Sequence, residues 1–140
     1  MRVILDLKVV MDTNVFISGV FFSGPPHQIL TAWQSGEFEL VVSQDILNEY
    51  RRVGEILSEA HRNIDLNPIL SFIIEHAKVY KPVKLKEPIC KDPDDDKFFA
   101  CALASGSKVI ISGDKHLLDV SGYADIEVLK PREFVDRYLD

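Results

Sequence analysis

Carboxylates are the residues whose types and spacing point most directly to chemistry in this sequence. Residues 91–104, KDPDDDKFFACALA, place four aspartates in five positions before the chain turns almost wholly apolar. Two like charges about 4 Å apart repel by about 4 kcal/mol at the effective dielectric of a partly buried site, so something must offset them. Asp92 before Pro93 fits a helix cap with proline at the first helical position, and Asp95 three residues on resembles a capping box. Asp94 falls in the same first turn, where the helix dipole favours acids by about 0.3–1 kcal/mol each. Asp96 lacks such a reason, because it lies one turn before Ala100 and two before Leu103, on the face that FFACALA buries.

Three further acids stand at comparable places. Asp12 directly follows the apolar run LKVVM (7–11), Asp114 follows KVIIS (108–112) by two residues, and Glu49 lies in the second turn after FELVV (38–42). Singly, an acid after a strand is usually a turn or cap residue. Jointly, four acids at one edge are unstable unless a cation is present or some stay protonated. Oxygen-only ligation suits Mg2+ or Mn2+ rather than zinc, and metal and phosphate chemistry follow.

The elements that must position these acids read as alternating strands and helices. LKVVM is a strand of the kind covered on both faces of a parallel sheet, followed by a helix over NVFISGVFF, a break at SGPP (23–26), and a helix HQILTAWQSG closed by Gly36. Ser43 is a natural N-cap for QDILNEYRRVGEIL, in which Ile46, Tyr50, Val53 and Leu57 mark the inward face. NPILSFIIEHAKV (67–79) reads as a helix with proline in its first turn, the lysine-rich KPVKLKEPICK as a connection, IEVL (126–129) as a last strand and PREFVDRYL as a C-terminal helix. The expected fold is an α/β three-layer sandwich, a central mainly parallel β-sheet flanked by helices, forming a single domain over residues 1–140. Ligand sites in such sheets lie at the carboxyl ends of the strands, where Asp12, Glu49, Asp96 and Asp114 would converge.

At 140 residues, with 46% hydrophobic and 27% charged residues, the composition is that of an ordinary globular domain, and no apolar run is long enough to span a bilayer. MRVILDLKVV lacks the features of a signal peptide, so a cytoplasmic location is expected. Cys90 and Cys101 have neither zinc-knuckle nor CxxC spacing and read as packed thiols. A net charge of −6 argues against nucleic acid as a partner, since phosphate binding needs a basic face, unless several acids are metal ligands. His27, His61 and His76 lack metal-ligand spacing, and Trp33, Phe98 and Phe99 read as core.

VMDTNVFIS, LNEYRRV and DPDDDKFFACALASGSKVIISGDKHLL together make the chain resemble a PIN domain, most closely the VapC-like toxin components of bacterial and archaeal toxin–antitoxin pairs. The resemblance covers nearly the whole chain. It implies a metal-dependent endoribonuclease acting on single-stranded or loop RNA, with Asp12, Glu49, Asp96 and Asp114 as catalytic Mg2+ or Mn2+ ligands and Thr13, Asn14 and Ser112 as polar neighbours. It also implies a small antitoxin partner and a homodimer, for which the helices at 27–35 and 67–79 offer an interface or simply core. Two features depart from the family pattern: about seven extra residues precede the opening strand, and His116 stands where an acid is common. Asp6 in MRVILD loosely echoes Asp12 but lacks the following Thr-Asn. The rival readings are a catalytically silent interaction domain and another acidic-pocket phosphoryl-transfer protein, although Asp12-Thr13-Asn14 lacks the second aspartate of a DxDxT phosphatase.

Overall fold

The computed structural model describes residues 7–139, so Asp6 and most of the N-terminal extension lie outside the described residues. Five parallel strands form one sheet in the order β3-β2-β1-β4-β5: β1 Lys8–Met11, β2 Glu39–Val42, β3 Lys78–Val79, β4 Val109–Ile111 and β5 Glu127–Leu129. Seven helices flank it: α1 Thr13–Phe21, α2 Pro25–Gln34, α3 Gln44–Ala60, α4 Asn67–His76, α5 Asp96–Ser105, α6 Lys115–Leu118 and α7 Pro131–Tyr138. This is the expected α/β sandwich.

Beyond a charged first residue in β1 and β2 the central strands are wholly apolar, because helices cover both faces of the sheet. Val9, Val10, Met11, Leu40, Val41, Val42, Ile110 and Ile111 are wholly buried. Each such aliphatic side chain contributes about 1.5–3 kcal/mol relative to exposure. Helix α5 packs across β1, β2 and β4, which buries Phe98 and Phe99 and holds the start of α5 against the carboxyl ends of those strands. Trp33 is likewise core, its indole meeting Phe72 edge-on.

Helix α2 ends where Gly36 takes φ 82°, a left-handed value that suits glycine. Gly19 has a different role: a Cβ there would come within 2.6 Å of Leu30 Cδ1 and 2.8 Å of the Pro26 carbonyl, so its bare backbone sets the approach of α1 to α2. Ser43 caps α3 as expected, accepting the Ile46 N–H at 3.3 Å. The helix then runs on to Ala60, through residues whose polarity gave no clear reading.

The helix expected over 67–79 ends at His76, and its last two residues form a strand instead. Lys78–Val79 pairs in parallel with Val41–Val42 as the edge strand β3, where two residues are too few to show an alternating pattern. Lys81, Lys84 and Lys86 are exposed, as a connection predicts. Helix α2 buries Ile29, Leu30, Ala32 and Trp33, and α4 buries Leu70 and Ile73, so both contribute chiefly to the core, while Ile74 remains 55% exposed. Among the described residues no helix is long and apolar enough to cross a membrane.

Candidate metal centre

The site begins with the strand ends. The Asp12 N–H bonds to the Ile111 carbonyl at 3.0 Å, which extends the β1–β4 ladder by one residue and places Asp12 beside Ser112. Asp12 then caps α1, its Oδ1 accepting the Val15 N–H at 2.8 Å. Its other oxygen accepts the Ser112 hydroxyl, and the Ser112 Oγ in turn accepts the Asp114 N–H at 2.9 Å. Asp12 is only 3% exposed. Burial pushes its carboxyl up to about 6; the bonds from Ser112 and Val15 oppose that rise, and the charges of Asp114 and Asp95 add to it.

Asp114 caps the short α6 by accepting the His116 N–H at 2.8 Å. That cap turns the imidazole back over the acids, with His116 Nδ1 3.6 Å from Asp95 Oδ2 and 3.9 Å from Asp114 Oδ1. Ligand atoms of Asp92, Asp95 and His116 lie within 4.8 Å of one another. Burial, then the charges of Asp114 and Asp92, hold the Asp95 carboxyl above its ordinary range. Asp12, Asp114, Asp95 and His116 thus form one continuous group drawn from the ends of β1 and β4, the start of α6 and the turn before α5.

Asp96 stands apart from this group. Residues 93–95 form a 3-10 turn, so the α-helix starts at Asp96 rather than at Pro93. Asp96 accepts the Cys90 N–H at 2.7 Å and the Ile89 N–H at 3.2 Å, so both its oxygens are engaged in fixing the preceding loop. Asp95 takes the place at the acidic edge. It also fails to make a capping box, since it is Asp94 whose N–H bonds to the Asp92 carboxylate, at 3.0 Å. An acid on a buried helix face needed compensation, as the sequence indicated, but two amides supply it. A 3-10 turn after Asp92-Pro93 was the signal that would have moved the assignment by one residue.

Glu49 lies on the opposite flank. One oxygen accepts the Thr13 hydroxyl and the other meets the Lys97 ammonium, which also bonds to Asp94 Oδ1 at 3.1 Å. Burial works against the charge on Lys97, but its bonds to Glu49 and Asp94 outweigh that and hold it above the ordinary lysine range. Arg52 stands 4.0 Å from the same Glu49 oxygen, one turn on in α3. Thr13 and Ser112 therefore touch the acids directly, whereas Asn14 is exposed at the rim of a depression it shares with Gly113, Asp114 and Pro131. The charged Lys97 between two acids was not foreseen, because spacing alone makes it one more solvated lysine.

Both cysteines are buried, and His27 and His61 are engaged away from the acids. Burial pushes the Cys90 and Cys101 thiols up to about 12 each, the inert state of packed cysteines. His27 Nδ1 lies 3.0 Å from the Gly19 carbonyl, and His61 packs against Phe21 and Phe22.

The sequence profile of the PIN domain family matches residues 8–116, which include all of these acids and His116. The chain belongs to the PIN domain family. PIN domains are generally metal-dependent nucleases, and the donor set here fits a divalent cation: carboxylates from separate elements, crowded and partly buried. The chain is also 32% identical, over 96% of its length and 93% of the relative's, to a protein of Methanocaldococcus jannaschii described only as uncharacterized.

Proposed function

We propose that this PIN domain is a metal-dependent endoribonuclease that cuts single-stranded or loop RNA, with one Mn2+ or Mg2+ held by Asp12, Asp95 and Asp114. The supporting observation is the nearly buried Asp12 carboxylate, raised to about 6 chiefly by burial, with the charges of Asp114 and Asp95 adding to the rise. Such a cluster is costly when charged and becomes favourable when a cation is added. His116 beside Asp95 offers a nitrogen donor, which favours Mn2+ over Mg2+.

A bound ion would supply Lewis acidity to the scissile phosphodiester and to an attacking water. The chain's own residues do the positioning. Ser112 links Asp12 to the Asp114 backbone, so the two strand ends move as one unit. Thr13 holds Glu49, and the exposed Arg52 and Asn14 flank the edge where an RNA strand would pass. With a net charge of −6, RNA affinity rests on the ion and this small set of cations, so it should fall with salt less steeply than for a broad basic surface.

The same reading takes the protein as a cytoplasmic toxin, with a small antitoxin lying over the acidic edge and a homodimer as the working form. The test is cleavage of total RNA by purified protein with Mn2+ or Mg2+, against EDTA and Asp12→Asn. Discrete cuts lost in both controls are expected. Intact RNA with no metal-induced rise in Tm would favour the silent interaction domain.

A further inference from the structure

The Glu49 flank of the site is already neutralised from within. Lys97 projects from the first turn of α5 to Glu49 on α3 and to Asp94 in the preceding turn, and its side chain is 15% exposed. Glu49 differs from the other acids in that one of its two partners is a cation: Thr13 donates to Oε1 and the Lys97 ammonium meets Oε2. The Asp12–Asp95–Asp114 flank differs, because among the described residues no lysine or arginine forms an ion pair with its acids, and His116 stands 3.6 Å from Asp95 and 3.9 Å from Asp114, beyond hydrogen-bond distance of both. Between α3 and the 3-10 turn a groove of about 440 Å3 opens, lined by Asn48, Arg52 and Lys97 together with the acids Asp45, Glu49 and Asp94.

We infer that Lys97 serves as the site's own second cation: it occupies the Glu49 corner that a further ion would need, so the protein takes a single divalent ion, and the ammonium faces the groove as a positioning group for the RNA phosphate. This rests on the nuclease reading and deepens it, by dividing the acids into one set that awaits metal and one that does not. A fixed ammonium in a partly buried groove is preorganised to meet a phosphate oxygen without a separate binding step.

The test is calorimetric titration of the full chain with Mn2+, comparing wild type, Lys97→Met, Lys97→Arg and Glu49→Gln. Wild type and Lys97→Arg are expected to bind one ion. Lys97→Met, with Glu49 and Asp94 released, is expected to bind two. Glu49→Gln is expected to keep one ion at close to wild-type affinity, and it keeps the inference testable if Lys97→Met fails to fold. Cleavage by Lys97→Met should fall about 10²-fold at low Mn2+ and recover as the second ion binds, while Lys97→Arg keeps most activity. Two ions on wild type, one on a folded Lys97→Met, or loss of the ion in Glu49→Gln would each overturn the inference. One ion on wild type with RNA left intact would instead overturn the nuclease reading alone.

Discussion

Replacing Asp12 by asparagine should remove metal-dependent activity and at the same time stabilise the metal-free protein. The folded protein raises this carboxyl from 3.8 to about 6, chiefly through burial. A raised folded pKa means that the fold favours the neutral acid. The resulting stability is fully present below pH 3.8 and is lost as pH rises through about 6. At 1.36 kcal/mol per unit the cost of charging Asp12 above pH 7 is about 3 kcal/mol. Asparagine keeps the helix cap and removes the charge, but its amide must reorient against Ser112, so a net gain of about 1–3 kcal/mol is expected. At this chain length that is a Tm rise of about 3–10 °C. Thermal melts of wild type and Asp12→Asn in EDTA at steps from pH 4 to 8 would show the difference open at pH 8 and close near pH 4. Adding Mn2+ should then stabilise wild type, by about 2.7 kcal/mol at one hundred times its Kd, and leave the variant where it was. A variant no more stable than wild type at pH 8, or an offset equally large at pH 4, would refute the reasoning.

Further outcomes follow from the same geometry. Asp95→Asn should abolish the Mn2+-induced Tm rise without destabilising the metal-free protein, whereas Asp96→Ala should cost about 1–3 kcal/mol in EDTA by stranding the Ile89 and Cys90 amides; paired melts separate the two. Ser112→Ala removes the hydroxyl that opposes the rise of Asp12, and should weaken Mn2+ binding by about 10–100-fold in a direct titration. Gly19→Ala should destabilise by about 1–3 kcal/mol in urea, because a Cβ 2.8 Å from the Pro26 carbonyl meets backbone that cannot step aside and overpacking outweighs the helix propensity gained.

Much of the fold was legible because parallel strands between two helical layers have a plain signature. LKVVM, FELVV and KVIIS are short, mostly apolar runs followed by Asp12, by Ser43 and, after Gly113, by Asp114, and such runs place a carboxyl edge without any knowledge of side-chain contacts. Strand β3 was invisible because its two residues are exposed, so neither length nor pattern marks them. Helix α3 was read short since its last turns face water and carry no apolar stripe.

At the site, the position of Asp12 and Asp114 at the carboxyl edge of the sheet was legible because each follows a strand closely, whereas Thr13 and Ser112 came from the family resemblance. Asp95 and Asp96 were not separable, because a helix shifts its facing direction by about 100° per residue and its first turn can be 3-10 or α. Lys97 shows the same limit: its role depends on Glu49, which is 48 positions away in the sequence.

Metal-dependent cleavage is best measured by incubating purified wild-type protein and Asp12→Asn with labelled single-stranded RNA in Mn2+ and in EDTA. Discrete internal cuts are expected from wild type in Mn2+ alone and none from the variant, although the variant melts at the higher temperature in EDTA. Cleavage that survives EDTA or persists undiminished in Asp12→Asn would contradict a metal-dependent nuclease built on Asp12.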